Sequence, residues 1–189
     1  VWESQNQDGN GYGVFAQRFA TDGSKVGGEF QVNTETTGNQ WGSAIGEGVA
    51  FLGDAFIIVW ESQNQDGSDY GVYAQMYHAD ATKNGAEFLV NTYTTKGQEK
   101  SSIAAVGTGF VIAWQSTQTN QDGDADGLFA KMYDASGNPI AKPVADVAGD
   151  ADGADAYEFR VNTHTTSSQK NPRIASNTNG FIIVWESQN

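Results

Sequence analysis

Apolar and polar residues alternate over short stretches along the whole chain, and four kinds of stretch recur. Gly, Asn, Asp, Ser and Thr separate them. The recurrences are Phe-x-x-x-Trp at 56–60, 110–114 and 181–185; Gly-to-aromatic stretches at 13–19, 71–77 and 127–133; Glu-Phe-x-Val-Asn-Thr at 29–34, 87–92 and 158–163; and weaker apolar stretches around Ile45, Ile103 and Ile174. Short β-branched and aromatic runs between turn residues predict strands. No helical apolar period is sustained, so the sequence predicts an all-β fold essentially without helix.

Both faces of the predicted strands carry apolar residues. Side chains alternate across a strand, so Val72, Ala74 and Met76 share one face of the stretch at 71–77, and Tyr73 and Tyr77 lie on the other. A sheet with one face in water would show a row of polar residues on that face. The pattern therefore predicts that each sheet packs between two neighbours.

A repeated phrase divides the chain into units. The string VWESQNQDG at 1–9 returns unchanged at 59–67, and its first six residues return at 184–189. Trp2, Trp60, Trp114 and Trp185 lie 58, 54 and 71 residues apart, and removal of insertions of 4 and 17 residues leaves 54 in each interval. We therefore predict antiparallel four-stranded sheets in unit 1 (1–58), unit 2 (59–112) and unit 3 (113–183, with an insertion at 140–157), and the start of a further unit at 184–189.

Two architectures of stacked small sheets fit this pattern. One is the β-propeller, in which blades surround a channel, and the other is an open, solenoid-like array. A propeller takes about four to eight blades, so three units do not close a ring. We expect further units, in the same polypeptide or in other copies of the chain, to continue the stack and cover its end strands.

The chain is acidic, with a formal net charge of −13. Nucleic acids and anionic membranes are recognised by Lys and Arg, so the excess of acidic residues argues against both partners. The same acidity is compatible with cation binding, or it serves only to keep the protein soluble. There is no cysteine, so packing or a metal is expected to stabilise an exported chain in place of disulfides. No apolar run is long enough for a membrane span.

The turn that follows each Trp stretch is a candidate calcium site, because Asp, Asn and Gly supply oxygen ligands on a sharply folded loop. The third turn matches best, with acids at alternate positions. The candidate ligands are Asp8, Asp66, Asp69, Asp122, Asp124 and Asp126, together with Asp150, Asp152 and Asp155 in the insertion. The alternatives are an ordinary Asp-Gly hairpin turn and, for the insertion, a solvated excursion without metal.

A second recurring string, Val-Asn-Thr-x-Thr-Thr-x-x-Gln, occupies 32–40, 90–98 and 161–169. Asn and Thr side chains bond nearby backbone groups and hold turns, so one interpretation is structural. The other is a repeated glycan-binding shelf, in which Tyr93 stacks on a sugar and amides donate hydrogen bonds. The amides concerned are those of Asn33, Asn91 and Asn162.

The sequence does not predict an enzyme. The two histidines fall at different positions of the unit, and no nucleophile or zinc motif occurs. Glu3, Glu61 and Glu186 follow the Trp and resemble glycosidase carboxylates, yet Gln115 takes that position in unit 3. A structural role at the rim of each unit is therefore expected.

The strings VWESQNQDG, YGVYAQ and EF-x-VNT together resemble the tandem repeats of large secreted or surface bacterial proteins, which accompany calcium-binding, adhesin-type modules. The resemblance covers the chain apart from 140–157 and implies propeller-like units and an extracellular location, without a known activity. Propellers of the integrin type hold calcium in similar Asp-rich hairpins, which carries over only to Asp122, Asp124 and Asp126. The first turn has only Asp8 as an acid and departs from that pattern.

These observations predict a non-catalytic extracellular structural or adhesive repeat protein that assembles into a fibre, layer or stalk and is stabilised by Ca²⁺. Its expected partners are copies of itself or further repeats of the same chain, and glycans are a further candidate. The alternative is a lectin-like β-propeller that binds glycans through its Thr-rich loops.

Overall fold

The computed structural model describes residues 1–42, 48–117, 121–142 and 156–188 of the chain. These residues form fifteen strands in four antiparallel sheets, and none of them lies in an α-helix. The all-β fold predicted from the sequence is therefore confirmed. Within the described ranges no helix is long and apolar enough to cross a membrane.

The four sheets follow one another along the chain. The first contains β1 (Trp2–Gln5), β2 (Tyr12–Phe19) and β3 (Lys25–Gln31). The second contains β4 (Gln40–Gly42), β5 (Val49–Leu52), β6 (Ala55–Gln63), β7 (Tyr70–Tyr77) and β8 (Lys83–Leu89). The third contains β9 (Gly97–Val106), β10 (Gly109–Thr117), β11 (Gly127–Tyr133), β12 (Pro139–Ile140) and β13 (Glu158–Arg160). The fourth contains β14 (Gln169–Asn177) and β15 (Gly180–Ser187).

Most predicted segments coincide with strands. The Phe-x-x-x-Trp stretches lie inside β6, β10 and β15, and the Gly-to-aromatic stretches match β2, β7 and β11. The Val-Asn-Thr part of the third segment differs, because β3 ends at Gln31 and β8 ends at Leu89. The stretch around Ile45 lies outside the described residues. Residue 59 lies inside β6, so the second sheet takes strands from both sides of the boundary between the sequence units.

The second sheet packs on both of its faces. Phe56, Ile58 and Trp60 face the first sheet and form a buried cluster with Val14 and Val32. The alternate side chains of the same strand face the other way. Ile57 and Val59 join a second cluster that includes Phe110, Ile112 and Trp114 of the third sheet. This confirms that the sheet is buried on two sides, as its alternation predicts.

A third cluster joins the third and fourth sheets. Val111 and Ala113 of β10 pack against Ile174 of β14, and Phe181 and Ile183 of β15 lie at the edge of this cluster. The sheets therefore stack face to face in chain order. No hydrophobic cluster of the described residues joins the first sheet to the fourth, so this part of the chain shows neither a closed barrel nor a closed ring.

Candidate functional site

The turn aspartates accept hydrogen bonds from the protein itself. The Oδ1 atom of Asp66 accepts one from the Ser68 backbone N–H, 3.2 Å away, and thereby closes a local turn. Its Oδ2 atom accepts another from Nδ2 of Asn91, at 3.3 Å. A Cβ on Gly71 would lie 2.7 Å from the same Oδ2, so a larger residue here would displace the Asp66 carboxylate. Asp8 and Asp122 make the same pair of bonds, with Asn33 and Asn162 as the amide donors.

Asn91 holds the end of one strand against the start of another. Its Oδ1 atom accepts a hydrogen bond from the Val72 backbone N–H at 2.8 Å, and its Nδ2 atom also donates to the Tyr93 carbonyl at 3.0 Å. Asn33 and Asn162 bond Val14 and Leu128 in the same way, and all three asparagines are buried. We call this arrangement of turn aspartate, asparagine and strand N–H the Asp–Asn latch. It explains why the strand ladder gives way at Val-Asn-Thr.

The third turn spreads its three acids over separate partners. Asp124 accepts hydrogen bonds from the Ala125 and Ser167 backbone N–H groups, and the Ser167 bond, the larger influence, holds the pKa of Asp124 below its ordinary value. The Asp126 carboxylate lies 3.4 Å from the Lys170 ammonium. Asp122 takes part in the latch.

The structure brings no calcium-type cluster together in the residues that it describes, where no three acidic, His or Cys side chains are grouped as metal ligands. Asp69 lies in the second turn at a positive φ of 22°, and its carbonyl accepts from the Asn64 N–H. Asp150, Asp152 and Asp155 lie outside the described residues. Calcium binding therefore stays a prediction.

A glutamate clamp between adjacent sheets is the feature that sequence reasoning missed. The Glu87 carboxylate accepts from the Thr34 backbone N–H of the preceding sheet's loop at 2.7 Å and from Gln65 Nε2 of its own at 2.8 Å. Glu158 does the same with Thr92 at 2.9 Å and Gln121 at 2.8 Å. A lysine completes each clamp. Lys83 donates to Thr34 Oγ1, and Lys131 donates to Thr92 Oγ1, both at 2.7 Å. The recurrence of Glu before Phe-x-Val-Asn-Thr was the available signal.

A cavity of about 440 Å³ opens where the first three sheets converge. Its lining residues are Glu3, Trp41, Gly42, Glu61, Tyr70, Glu99 and Lys100. Trp41 Nε1 donates to the Tyr70 hydroxyl at 3.2 Å, and the Trp41 ring stacks on Tyr12 with 4.4 Å between ring centroids. One wall is therefore aromatic. We call this cavity the rim pocket.

The carboxyl groups of the rim pocket are harder to ionise than free ones. Burial raises the pKa of Glu61 from its ordinary 4.5 to about 7, although the Ser101 N–H and Lys100 oppose the rise. Burial also raises the pKa of Glu3 and Glu99, again against the positive charge of Lys100. Because the folded chain holds the Glu61 proton more tightly than the unfolded chain, the free energy of unfolding falls as the pH rises from 4.5 to about 7.

Comparison with known proteins adds no assignment. No protein-family model matches the chain, and no curated protein compared with it matches.

Proposed function

We propose that the chain is a non-catalytic structural repeat protein whose sheets stack on further units of the same kind. Those units belong to the same polypeptide or to other copies of the chain. The stack forms an extracellular fibre, layer or stalk. The proposal is supported by the surfaces that the first and fourth sheets expose, since these match surfaces buried between the inner sheets.

The observation that carries the proposal is the exposure of β15. Ile182, Val184 and Trp185 are 62%, 53% and 40% exposed. The corresponding residues of β6 are Ile57, Val59 and Trp60, and those of β10 are Val111, Ala113 and Trp114, all of them 0% exposed. Complete burial of one such side chain is worth about 1.5–3 kcal/mol. Ile182 and Val184 lie on the outer face of β15, whereas Trp185 shares the inner face with Phe181 and Ile183. Covering the exposed half of the two outer side chains therefore gains roughly 2 kcal/mol.

At the opposite end of the stack, the first sheet lacks an inner strand in the described part of the chain. The second and third sheets place an inner strand, β5 or β9, beside β6 or β10, whereas β1 pairs only with β2 among the described strands. An apolar groove of about 340 Å³ lies between the first and second sheets, with Phe19 of β2 and Phe51 of β5 60% and 67% exposed. Its proposed occupant is an inner strand like β14 from another unit.

The glutamate clamp also has one half at each end. Glu29 of the first sheet corresponds to Glu87 and bonds Gln7 of its own turn. Thr163 follows β13 of the third sheet as Thr34 follows β3 and Thr92 follows β8, and no hydrogen bond of the described residues joins it to another sheet. Strands like β2 and β3 from a further unit would complete the fourth sheet beside β15, and they would bring a carboxylate like that of Glu29 to the Thr163 N–H.

Sedimentation velocity tests assembly between copies. We expect the chain to associate as its concentration rises, and Val184→Glu to weaken association at least tenfold by placing a charge in the contact. The matched control is Thr108→Glu, which adds the same charge to an exposed turn. A monomer at every concentration contradicts assembly between copies and leaves further units of the same polypeptide as the covering partner.

A further inference from the structure

The rim pocket lies wholly within one chain, so its role does not depend on stacking. β1 supplies Glu3, β4 supplies Trp41 and Gly42, and β6, β7 and β9 supply the other four lining residues. Its volume of about 440 Å³ falls within the range of small-molecule sites, ~300–1,000 Å³.

The lining combines an aromatic surface with polar groups of both hydrogen-bonding kinds. Trp41 and Tyr70 line one wall and are joined by an indole–hydroxyl hydrogen bond, and Tyr12, outside the lining, stacks on the Trp41 ring. Glu3 and Glu99 carry acceptor oxygens, and Lys100 carries an ammonium donor. Such a lining suits a ligand with an apolar face and a hydroxylated edge.

The charges of the pocket select against anionic ligands. The positive charge of Lys100 acts on all three carboxyl groups and offsets part of their negative charge. The same carboxyl groups would repel an anion. A ligand without net charge meets neither this repulsion nor competition from Lys100 for the carboxylate oxygens.

The later units of the chain carry other residues at the positions that form this aromatic wall. In the repeated phrases, Glu99 and Lys170 stand where Trp41 stands, and Asp126 stands where Tyr70 stands. Asp126 and Lys170, which are the counterparts of the stacked Tyr12 and Trp41 two units further on, form an ion pair at 3.4 Å. The aromatic wall is therefore a local substitution on a shared scaffold, and turns or strand pairing do not require it.

We infer that the rim pocket binds a neutral pyranose sugar, with its C–H face on Trp41 and its hydroxyl groups on Glu3, Glu99 and Lys100. This places glycan recognition where the inner strands meet, away from the Thr-rich loops and their buried asparagines.

Saturation-transfer NMR and tryptophan fluorescence on the intact chain test the inference. The probes are neutral methyl pyranosides of the gluco, galacto, manno and N-acetylglucosamine types, with choline and glucosamine as cationic probes. We expect saturation of ring C–H protons of at least one neutral pyranoside, with a dissociation constant on the order of 1 mM.

Trp41→Lys is the decisive variant. It should weaken pyranoside binding at least tenfold yet keep the fold, because Trp41 pairs with Glu61 as Lys170 pairs with Glu186 in the fourth sheet. Tyr93→Ala, in a Thr-rich loop, should leave binding unchanged, and thermal melts verify that both variants fold. The inference is overturned if no neutral pyranoside binds, if only the cationic probes bind, or if a folded Trp41→Lys chain binds as tightly as before.

Discussion

Substitution of Asn91 by alanine tests the Asp–Asn latch at its centre. The side chain is 2% exposed and takes part in three hydrogen bonds, to Val72, Asp66 and Tyr93. Alanine removes all three and leaves the Val72 N–H buried without its acceptor. A buried unsatisfied group costs about 1–3 kcal/mol, and each of the two donated bonds contributes about 0.5–1.5 kcal/mol. We expect the free energy of unfolding to fall by about 3 kcal/mol.

Urea unfolding followed by tryptophan fluorescence measures this loss. Thr95→Ala, an exposed change in the same loop, is the matched control and should stay within about 0.5 kcal/mol of the parent chain. Asn91→Asp keeps the oxygen that faces Val72 but removes both donated bonds and adds a charge beside Asp66, so it should also destabilise. An Asn91→Ala chain as stable as the control would refute the latch as a stabilising element.

Three further predictions concern burial, charge and metal. Glu61→Gln should abolish the loss of stability between pH 4.5 and about 7, worth about 1–3 kcal/mol, because the amide does not titrate. The fold should tolerate the amide, since Gln115 takes this position in the next sheet and accepts a backbone hydrogen bond from Asn171. Urea unfolding at both ends of that pH window should then give the same free energy, and an unchanged dependence on pH contradicts the assignment to Glu61. Trp114→Ala should destabilise by about 3–5 kcal/mol, since the ring is buried and bonds Gln98 at 3.1 Å; a chemical-denaturation change below 1 kcal/mol contradicts its core role. If calcium stabilises the turns, excess EDTA should lower the melting temperature and added Ca²⁺ should restore it. Equal melting curves with and without EDTA would contradict stabilisation by calcium.

The sequence pattern was sufficient to predict the strands, because the alternation of side chains along a strand is a local property of the chain. The alternation of Phe56, Ile58 and Trp60 with Ile57 and Val59 predicted two buried faces, and the two faces belong to different clusters. The third segment was extended too far, through Val-Asn-Thr. There the Asn91 side chain takes the Val72 N–H, so side-chain bonding replaces part of the ladder that the apolar pattern suggested.

The contacts between sheets were beyond sequence reasoning because their partners are distant in the chain. The Glu158 carboxylate accepts a hydrogen bond from the backbone of Thr92, 66 residues away. The recurrence of Glu in the sequence does not identify that partner. The rim pocket was missed for a related reason. Trp41 departs from the repeat at its position, and only the convergence of three sheets brings it beside Tyr70 and Glu99. Glu61 was expected to be a rim group, and it lines this pocket.

Hydrogen–deuterium exchange on a lengthened chain tests most directly whether these sheets depend on their neighbours. Residues 65–112 would be appended after residue 189, so that the phrase at 184–189 continues as it does at 59–64. A flexible Gly-Ser extension of equal length is the control. Our account predicts that the β15 amides become as protected as those of β10 in the lengthened chain alone. Exchange in β15 that is equally fast in both chains would contradict it.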